Sequence, residues 1–520
     1  MTILTRKDAW KLSASSTWEP TLLWYAKAVG EMSSRPATDP TSWRYQAGIH
    51  GYKAKTDPFA AKGPVPGAVV RRKFWGKCQH GTWFFLPWHR MYLGYFERIV
   101  RAAVVKLGGP SDWTLPYWNY SDTSNPTARA LPPAFREKKL PDGAPNPLYT
   151  IDGIDVLRAP GVNAGKLAVL PPADVAISGC LAETFFSPKS DVTTGDLGFG
   201  GPATAANHDG TVFGPDSVET RPHNAVHVDV GGQWTQGGKT FDGWMIDPDT
   251  AALDPIFWVH HANIDRLWSV WKDLDPAHAN PSGSVNVHGK SISWATAVKF
   301  AFHDETGAVV SLTPGQMVDT RAKPFFYDYD DTKSPVAATA GLAAIAAGSK
   351  AVPKQIPEML GANAKKATLT GAPSTVSFSL QPPAGPAKAR TAAAALPGAA
   401  KTYLQVENVV SKSSRATYEV FVNLPEKPTS GAYERHLAGA MHLFGVVQAS
   451  RLSEEHAGDG LNFSLDITDL VDRLKATGDW DEKNVRVTFV PRGAGNHRAI
   501  PEHDPIKIGR VSVYRSSSGR

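Results

Sequence analysis

The sequence predicts a mainly α domain, in which a four-helix bundle holds a metal centre, followed by an all-β sandwich. Three observations lead there. In the first half, histidines recur at helical spacing inside apolar stretches, as in Arg221-Pro222-His223-Asn224-Ala225-Val226-His227 and in the run from Asp254 to Trp268. Beyond Thr402 the hydrophobic period becomes two, the signature of half-buried strands. Between them, residues 335–400 are dominated by Ala, Pro, Gly and Lys. The expected division is 1–334 for the helical domain, 335–400 for a linker and 401–520 for the sandwich.

Trp18 to Val29 reads as an amphipathic helix opened by Pro20 near its first turn, its strongly apolar part ending at Gly30. A Gly- and Pro-rich loop follows His50. Pro87 is expected to open a second helix, on which Trp88, Tyr92, Tyr95, Phe96 and Ile99 recur at helical spacing and His89 sits in the first turn. Residues 121–215 show little periodicity and read as long surface loops. His223 and His227 open a third helix or helical turn, and Trp258 to Trp271 forms a fourth. Alternation marks strands at Tyr418–Val422, Asn462–Ile467, Val485–Val490 and Val511–Tyr514.

Four histidines, His223, His227, His260 and His261, fall in one stretch. Positions four apart on a helix share a face, so His223 and His227 can grip one ion, with His260 or His261 as a third imidazole. A zinc hydrolase of the H-E-x-x-H type needs Glu after the first histidine, and Asn224 stands there. Upstream, His50, His80 and His89 form a second triad around Cys78-Gln79-His80 and Trp88-His89-Arg90. Two neighbouring all-imidazole sites without a bridging carboxylate point to copper rather than to a di-iron or two-zinc pair.

These motifs resemble the type 3 copper family of tyrosinases, catechol oxidases and molluscan haemocyanins, over roughly Arg6 to Tyr329. The resemblance implies two copper ions, with O2 as co-substrate and small phenols as partners. The expected reactions are ortho-hydroxylation of monophenols and oxidation of o-diphenols to o-quinones. In that family the second of the paired histidines is the ligand, which selects His261. The ligand sets become His50, His80 and His89 for one copper, and His223, His227 and His261 for the other. Similar tyrosinases place a Glu and an Asn near the positions of Glu219 and Asn224, holding a water proposed to deprotonate a monophenol; the structural alternative is a helix cap or an ion pair with Arg221. Cys78 matches a cysteine that fungal enzymes and haemocyanins join to the histidine two residues on, against a buried thiol or a disulfide with Cys180. Phe257 resembles the aromatic stacked over the substrate site, or is simply helix core. Val228 and Met245 are expected in the pocket wall. Trp113–Asn119 resembles the buried segment after the first copper motif, and Tyr327-Asp328-Tyr329 the tyrosine pair that ends the family's catalytic domain.

Beyond residue 402, Tyr418–Leu424, His436–Phe444 and Val487–Arg492 match the C-terminal domain of plant polyphenol oxidases. That likeness implies a lid over the dicopper mouth, one side chain filling the phenol site, with no single residue standing out as the plug. Cleavage between Pro335 and Ala400 is then expected to raise activity on bulky phenols more than on small catechols. Competing expectations are a catechol or o-aminophenol oxidase without monophenol activity, and a haemocyanin-like oxygen carrier, although carriers repeat many such units in a chain. His436, His442, His456, His497 and His503 lack metal spacing and read as surface or hydrogen-bonded histidines.

Composition is that of an ordinary globular protein, 42% hydrophobic and 20% charged. With 55 basic and 49 acidic side chains interspersed, net +6, a nucleic-acid partner has little support. No run of eighteen apolar residues suggests a membrane span. The start lacks the apolar core of a signal peptide, so cytoplasmic residence is expected; assembly into a homo-oligomer is left open.

Overall fold

The computed structural model describes residues 2–189, 195–205, 212–333, 357–381, 401–412, 417–452, 457–492 and 505–516. Most of the expected linker, 335–356 and 382–400, lies outside the described residues, as do His456, His497 and His503.

Five helices carry the first domain: α1 (Pro20–Ser33), α2 (Trp43–His50), α3 (Phe85–Lys106), α4 (Ala225–Gly231) and α5 (Pro255–Leu274). Their starts follow local chemistry. The Glu19 carboxylate accepts the Thr21 N–H at 2.8 Å ahead of Pro20, and the Ser42 hydroxyl accepts the Tyr45 N–H at 3.1 Å. The Asp254 carboxylate accepts the Ile256 N–H at 3.1 Å and is itself fixed by buried Arg158 at 2.7 and 2.8 Å. α3 begins two residues before the expected Pro87, which sits in the first turn, where its missing N–H costs no helical bond.

α3 and α5 are buried along nearly their whole length and pack on each other, Phe96 stacking on Trp258 at 3.4 Å between centroids. One carboxylate locks them to the two ends of the domain. Asp265 on α5 accepts from Arg90 of α3 at 2.5 Å, from the hydroxyls of Tyr327 at 2.6 Å and Tyr329 at 2.5 Å, and from Arg6 at 3.4 Å. Burial works against its charge, yet Arg90, Arg6 and the two hydroxyls hold its pKa below the usual carboxylate range. Leu4–Arg6 pairs in parallel with Tyr327–Tyr329, so the tyrosine pair closes the domain. Asp265→Ala would strand the buried Arg90 guanidinium, while Arg6 keeps its ion pair with Glu97 at 2.7 Å; the expected loss is about 3–5 kcal/mol of unfolding free energy, read by denaturant titration. A loss below about 1 kcal/mol would mean that the network contributes little.

The described residues of 121–215 are largely irregular as expected, but many of them are core rather than surface loop. Leu131, Phe135, Leu148, Ile151, Val156, Val162 and Leu170 are all buried. Side chains replace the missing ladders: the Asn146 amide donates to Ala134 O and Glu137 O, and its oxygen accepts the Leu148 N–H. Periodicity cannot reveal a core built this way.

The second domain is a two-sheet sandwich. Its strands are β1 (Glu358–Ala362), β2 (Ala367–Leu369), β3 (Ser374–Phe378), β4 (Lys401–Val410), β5 (Thr417–Val422), β6 (Leu437–His442), β7 (Leu461–Asp466), β8 (Val485–Arg492) and β9 (Ile506–Ser516). One sheet runs β1-β9-β4-β7, with β2 also on β9; the other runs β3-β8-β5-β6. Val406, Val420, Phe489 and Val511 lie in the shared core. The domain therefore starts near 358, not 401, and residues 358–378 leave the expected linker. These strands are short, and β1 pairs with β9 at the far end of the chain, Glu358 opposite Arg515. Local composition carries no trace of such a partner.

Candidate metal centre

Six imidazoles converge between α2, α3, α4 and α5. His50 ends α2, His89 lies in the first turns of α3, and His227 sits on α4. His223 comes from an irregular turn, Glu219–Asn224, whose helical path is broken at Arg221 (φ −144°, ψ 128°). His261 lies on α5, and His80 on the loop before α3.

Four of the rings are held through Nδ1. His50 donates to Pro248 O at 2.9 Å, His89 to Phe85 O at 2.8 Å, His223 to Asn224 Oδ1 at 2.8 Å and His227 to Met245 O at 2.9 Å. An imidazole that donates from Nδ1 presents a lone pair at Nε2. The Nε2 atoms of His50 and His89 are buried with no hydrogen-bond partner. Those of His223 and His227 lie 3.3 and 3.1 Å from His261 Nε2. The lone pairs of His223 and His227 and the His261 nitrogen at that separation suit a cation between them. Burial comes first among the causes that keep these rings neutral: it lowers the pKa of His50 to about 4 and puts those of His89, His223, His227 and His261 well below the ordinary value.

The triads adjoin. The His89 ring stacks on His261 at 4.5 Å between centroids, and ligand nitrogens of His50, His89 and His261 come within 4.8 Å of one another. His260 points to the same cluster, but His261 is the one whose Nε2 meets both partners. The donor set fits two coppers, and ions held here supply O2 binding and the oxidation of bound phenols.

The structure brings the other expected residues to the centre in different ways. Both oxygens of buried Glu219 accept the Gly81 N–H, at 2.8 and 2.9 Å, bracing the turn that carries His223 against the loop that carries His80. Burial holds its carboxyl well above the usual range, the Gly81 N–H pulling the other way. It makes neither the helix cap nor the ion pair with Arg221, which leans on Asp216 at 3.9 Å. The Asn224 amide oxygen is used by His223 rather than by the backbone. Phe257 lies against His261 at 4.1 Å and His50 at 4.8 Å, a wall beside the ligands within the core. Met245 contributes its carbonyl, which orients His227, and Val228 is buried in the same core. Cys78 Sγ lies 3.4 Å from His80 Nδ1, and neither it nor Cys180 is in a disulfide. His442 and His436 are buried and hydrogen-bonded, to Thr417 and Val422, rather than on the surface.

Two aromatics escaped the sequence reading. Phe85 packs on His89 at 4.5 Å and His223 at 4.7 Å. It stands four residues before His89 as Phe257 stands four before His261, a repeat that could have revealed it. Phe444 comes from the sandwich domain, just after β6. Its ring lies over His227 at 4.0 Å and 20°, with His80 at 5.3 Å and His223 at 5.7 Å, and it is buried in the core of the helical domain.

A helical core with paired histidine triads, capped by a β-domain, defines a type 3 copper protein. The family description "Common central domain of tyrosinase" matches residues 40–274, and a domain of unknown function, DUF7868, matches 356–516. The chain is 35% identical to Tyrosinase HcTyr1 of Hahella sp. (strain CCB-MM4), over 98% of this chain and 99% of that one. It is 26% identical to the latent form of chloroplastic polyphenol oxidase from Prunus armeniaca, over 95% of this chain and 73% of that one. The same fold recurs in latent aurone synthase (TM-score 0.55, 20% identity, 99% of this chain and 90% of that one) and in latent apple tyrosinase (TM-score 0.53, 22% identity, 99% and 98%). The chain belongs to the tyrosinase family, and it is a copper-dependent oxidase of monophenols and o-diphenols.

Proposed function

We propose that Glu219 and Asn224 equip the centre for monophenols, and that the C-terminal domain keeps the enzyme latent by seating Phe444 in the phenol site. The single observation that carries the second part is the Phe444 ring lying nearly parallel over His227 at 4.0 Å, where a flat phenol would stack. A ring supplied by the same chain acts at high effective concentration, so even a weak contact competes well with substrate. The relative named as a latent polyphenol oxidase supports the reading.

For the first part, burial suits Glu219 to take a proton through a water shared with Asn224. Glu219→Gln is the discriminating variant, because the amide oxygen can still accept the Gly81 N–H and the turn stays braced. Monophenol turnover is expected to fall about 10²–10⁴-fold, with catechol turnover much less affected. Equal losses on both substrates, with copper content intact, would make Glu219 a structural brace only.

We also propose that Cys78 joins His80 through a thioether, with O2 at the copper centre as oxidant. The sulfur's 3.4 Å approach to the ring supports it, and a covalent tether would fix the imidazole. Intact mass after copper loading should drop by two hydrogens and resist reductant. Two alkylatable thiols in the active holoenzyme would overturn it.

A further inference from the structure

A lid tethered by one connecting segment leaves when that segment is cut, unless the domains grip each other elsewhere. We propose that residues 212–214 of the catalytic domain form a docking strand for the β-domain. Through it the lid stays bound as a separate polypeptide after cleavage within 334–356. This rests on the lid function proposed above and specifies what holds the lid.

The contact is a strand addition. The Phe213 N–H donates to Asn462 O at 3.0 Å, and the Ser464 N–H donates to Phe213 O at 3.0 Å, a parallel bridge between Phe213 and Phe463. It lies along the outer edge of β7, whose other edge pairs with β4. Exposed strand edges offer unpaired N–H and C=O groups, and an added strand uses them. The side chain goes further than the backbone. Phe213 is 3% exposed and lies in the core of the sandwich, its ring 5.7 Å from that of Phe463. Phe444 makes the reverse exchange, a residue of the sandwich buried in the catalytic core. Each domain thus lends one phenylalanine to the other, so separation must expose both rings and break the bridge together.

Polar contacts flank this exchange. Ser464 Oγ donates to Gly195 O at 3.4 Å. Arg492 of β8 pairs with buried Asp174 and lies 3.5 Å from Asp229, while His442 Nε2 lies 3.7 Å from Asp174. Gln448 donates to Asp247 at 2.6 Å and Asp249 at 2.9 Å, beside Pro248, whose carbonyl holds His50. The lid is held on several sides, with the apolar anchor at Phe213.

The test uses the full copper-loaded chain with a protease recognition sequence placed at 340–346. After cutting, the wild-type fragments should co-elute on size exclusion at micromolar concentration, and phenol oxidation should stay at its uncut level, in place of the gain on cleavage that the family resemblance alone implies. Two variants address the anchor independently. Phe213→Ala empties its place in the sandwich core. Ser464→Pro removes the N–H given to Phe213, which points away from β4, together with the hydroxyl that accepts from Gln405 and donates to Gly195 O. Truncating an anchor buried in its partner weakens association by about 30-fold or more. Both cut variants should therefore release the lid and gain activity, while the uncut variants keep two coppers per chain. Wild-type fragments that separate on cutting, or cut variants that hold the lid as tightly as wild type, would overturn the proposal. Uncut Phe444→Gly, whose lid remains covalently tethered, separates the two readings: raised activity supports the plug. No gain in that uncut chain would sink the plug, while co-elution of the cut wild-type fragments would leave the docking strand standing.

Discussion

Phe444→Gly is expected to raise kcat/KM for small catechols by about 10- to 100-fold without changing copper content. The magnitude follows from the ring itself. Burying a phenylalanine side chain is worth roughly 1.5–3 kcal/mol, and a phenol entering the wild-type site must first displace it. Every 1.4 kcal/mol is about tenfold. The gain should be largest for phenols no bigger than the ring removed, because the rest of the lid remains, with Gln448 still on Asp247 and Asp249. Bulky phenols should respond instead to removal of the whole domain. Oxygen uptake with a graded series of phenols measures both. Unchanged kinetics on every phenol, with the coppers retained, would show that the β-domain docks there for stability alone.

His261→Ala has the largest expected loss. Its Nε2 meets both His223 and His227, so no other atom closes that triad in the same position. One copper per chain should be lost and oxidase activity should fall below detection. The sandwich should still unfold at its usual denaturant concentration, because its core is made by its own strands and short helices and the anchor Phe213. Retention of both coppers would instead assign the third ligand to His260, which lies in the same cluster.

The copper ligands were legible because their pattern is local. An i,i+4 pair, a paired histidine inside an apolar helix and an aromatic-rich second motif all act within one or two helical turns. Glu219 and Asn224 were legible as members of the site, but their bonds were not. The Gly81 N–H that Glu219 accepts lies far away in sequence, and only the fold brings the two loops together. Phe444 had no local signal. It is one phenylalanine after a strand, and its position over His227 depends on how two domains dock. Strands β1 to β3 were hidden for a related reason, since their partners lie more than a hundred residues away. Phe213 lies in a stretch without periodicity, and its ring is buried in the sandwich core beside Phe463 of β7.

The most direct measurement is the metal content of purified active protein, set beside its oxygen uptake with catechol. Two coppers per chain, rising and falling together with activity on chelation and reconstitution, is the expected result. Full activity with a single metal per chain, or with zinc in place of copper, would contradict it.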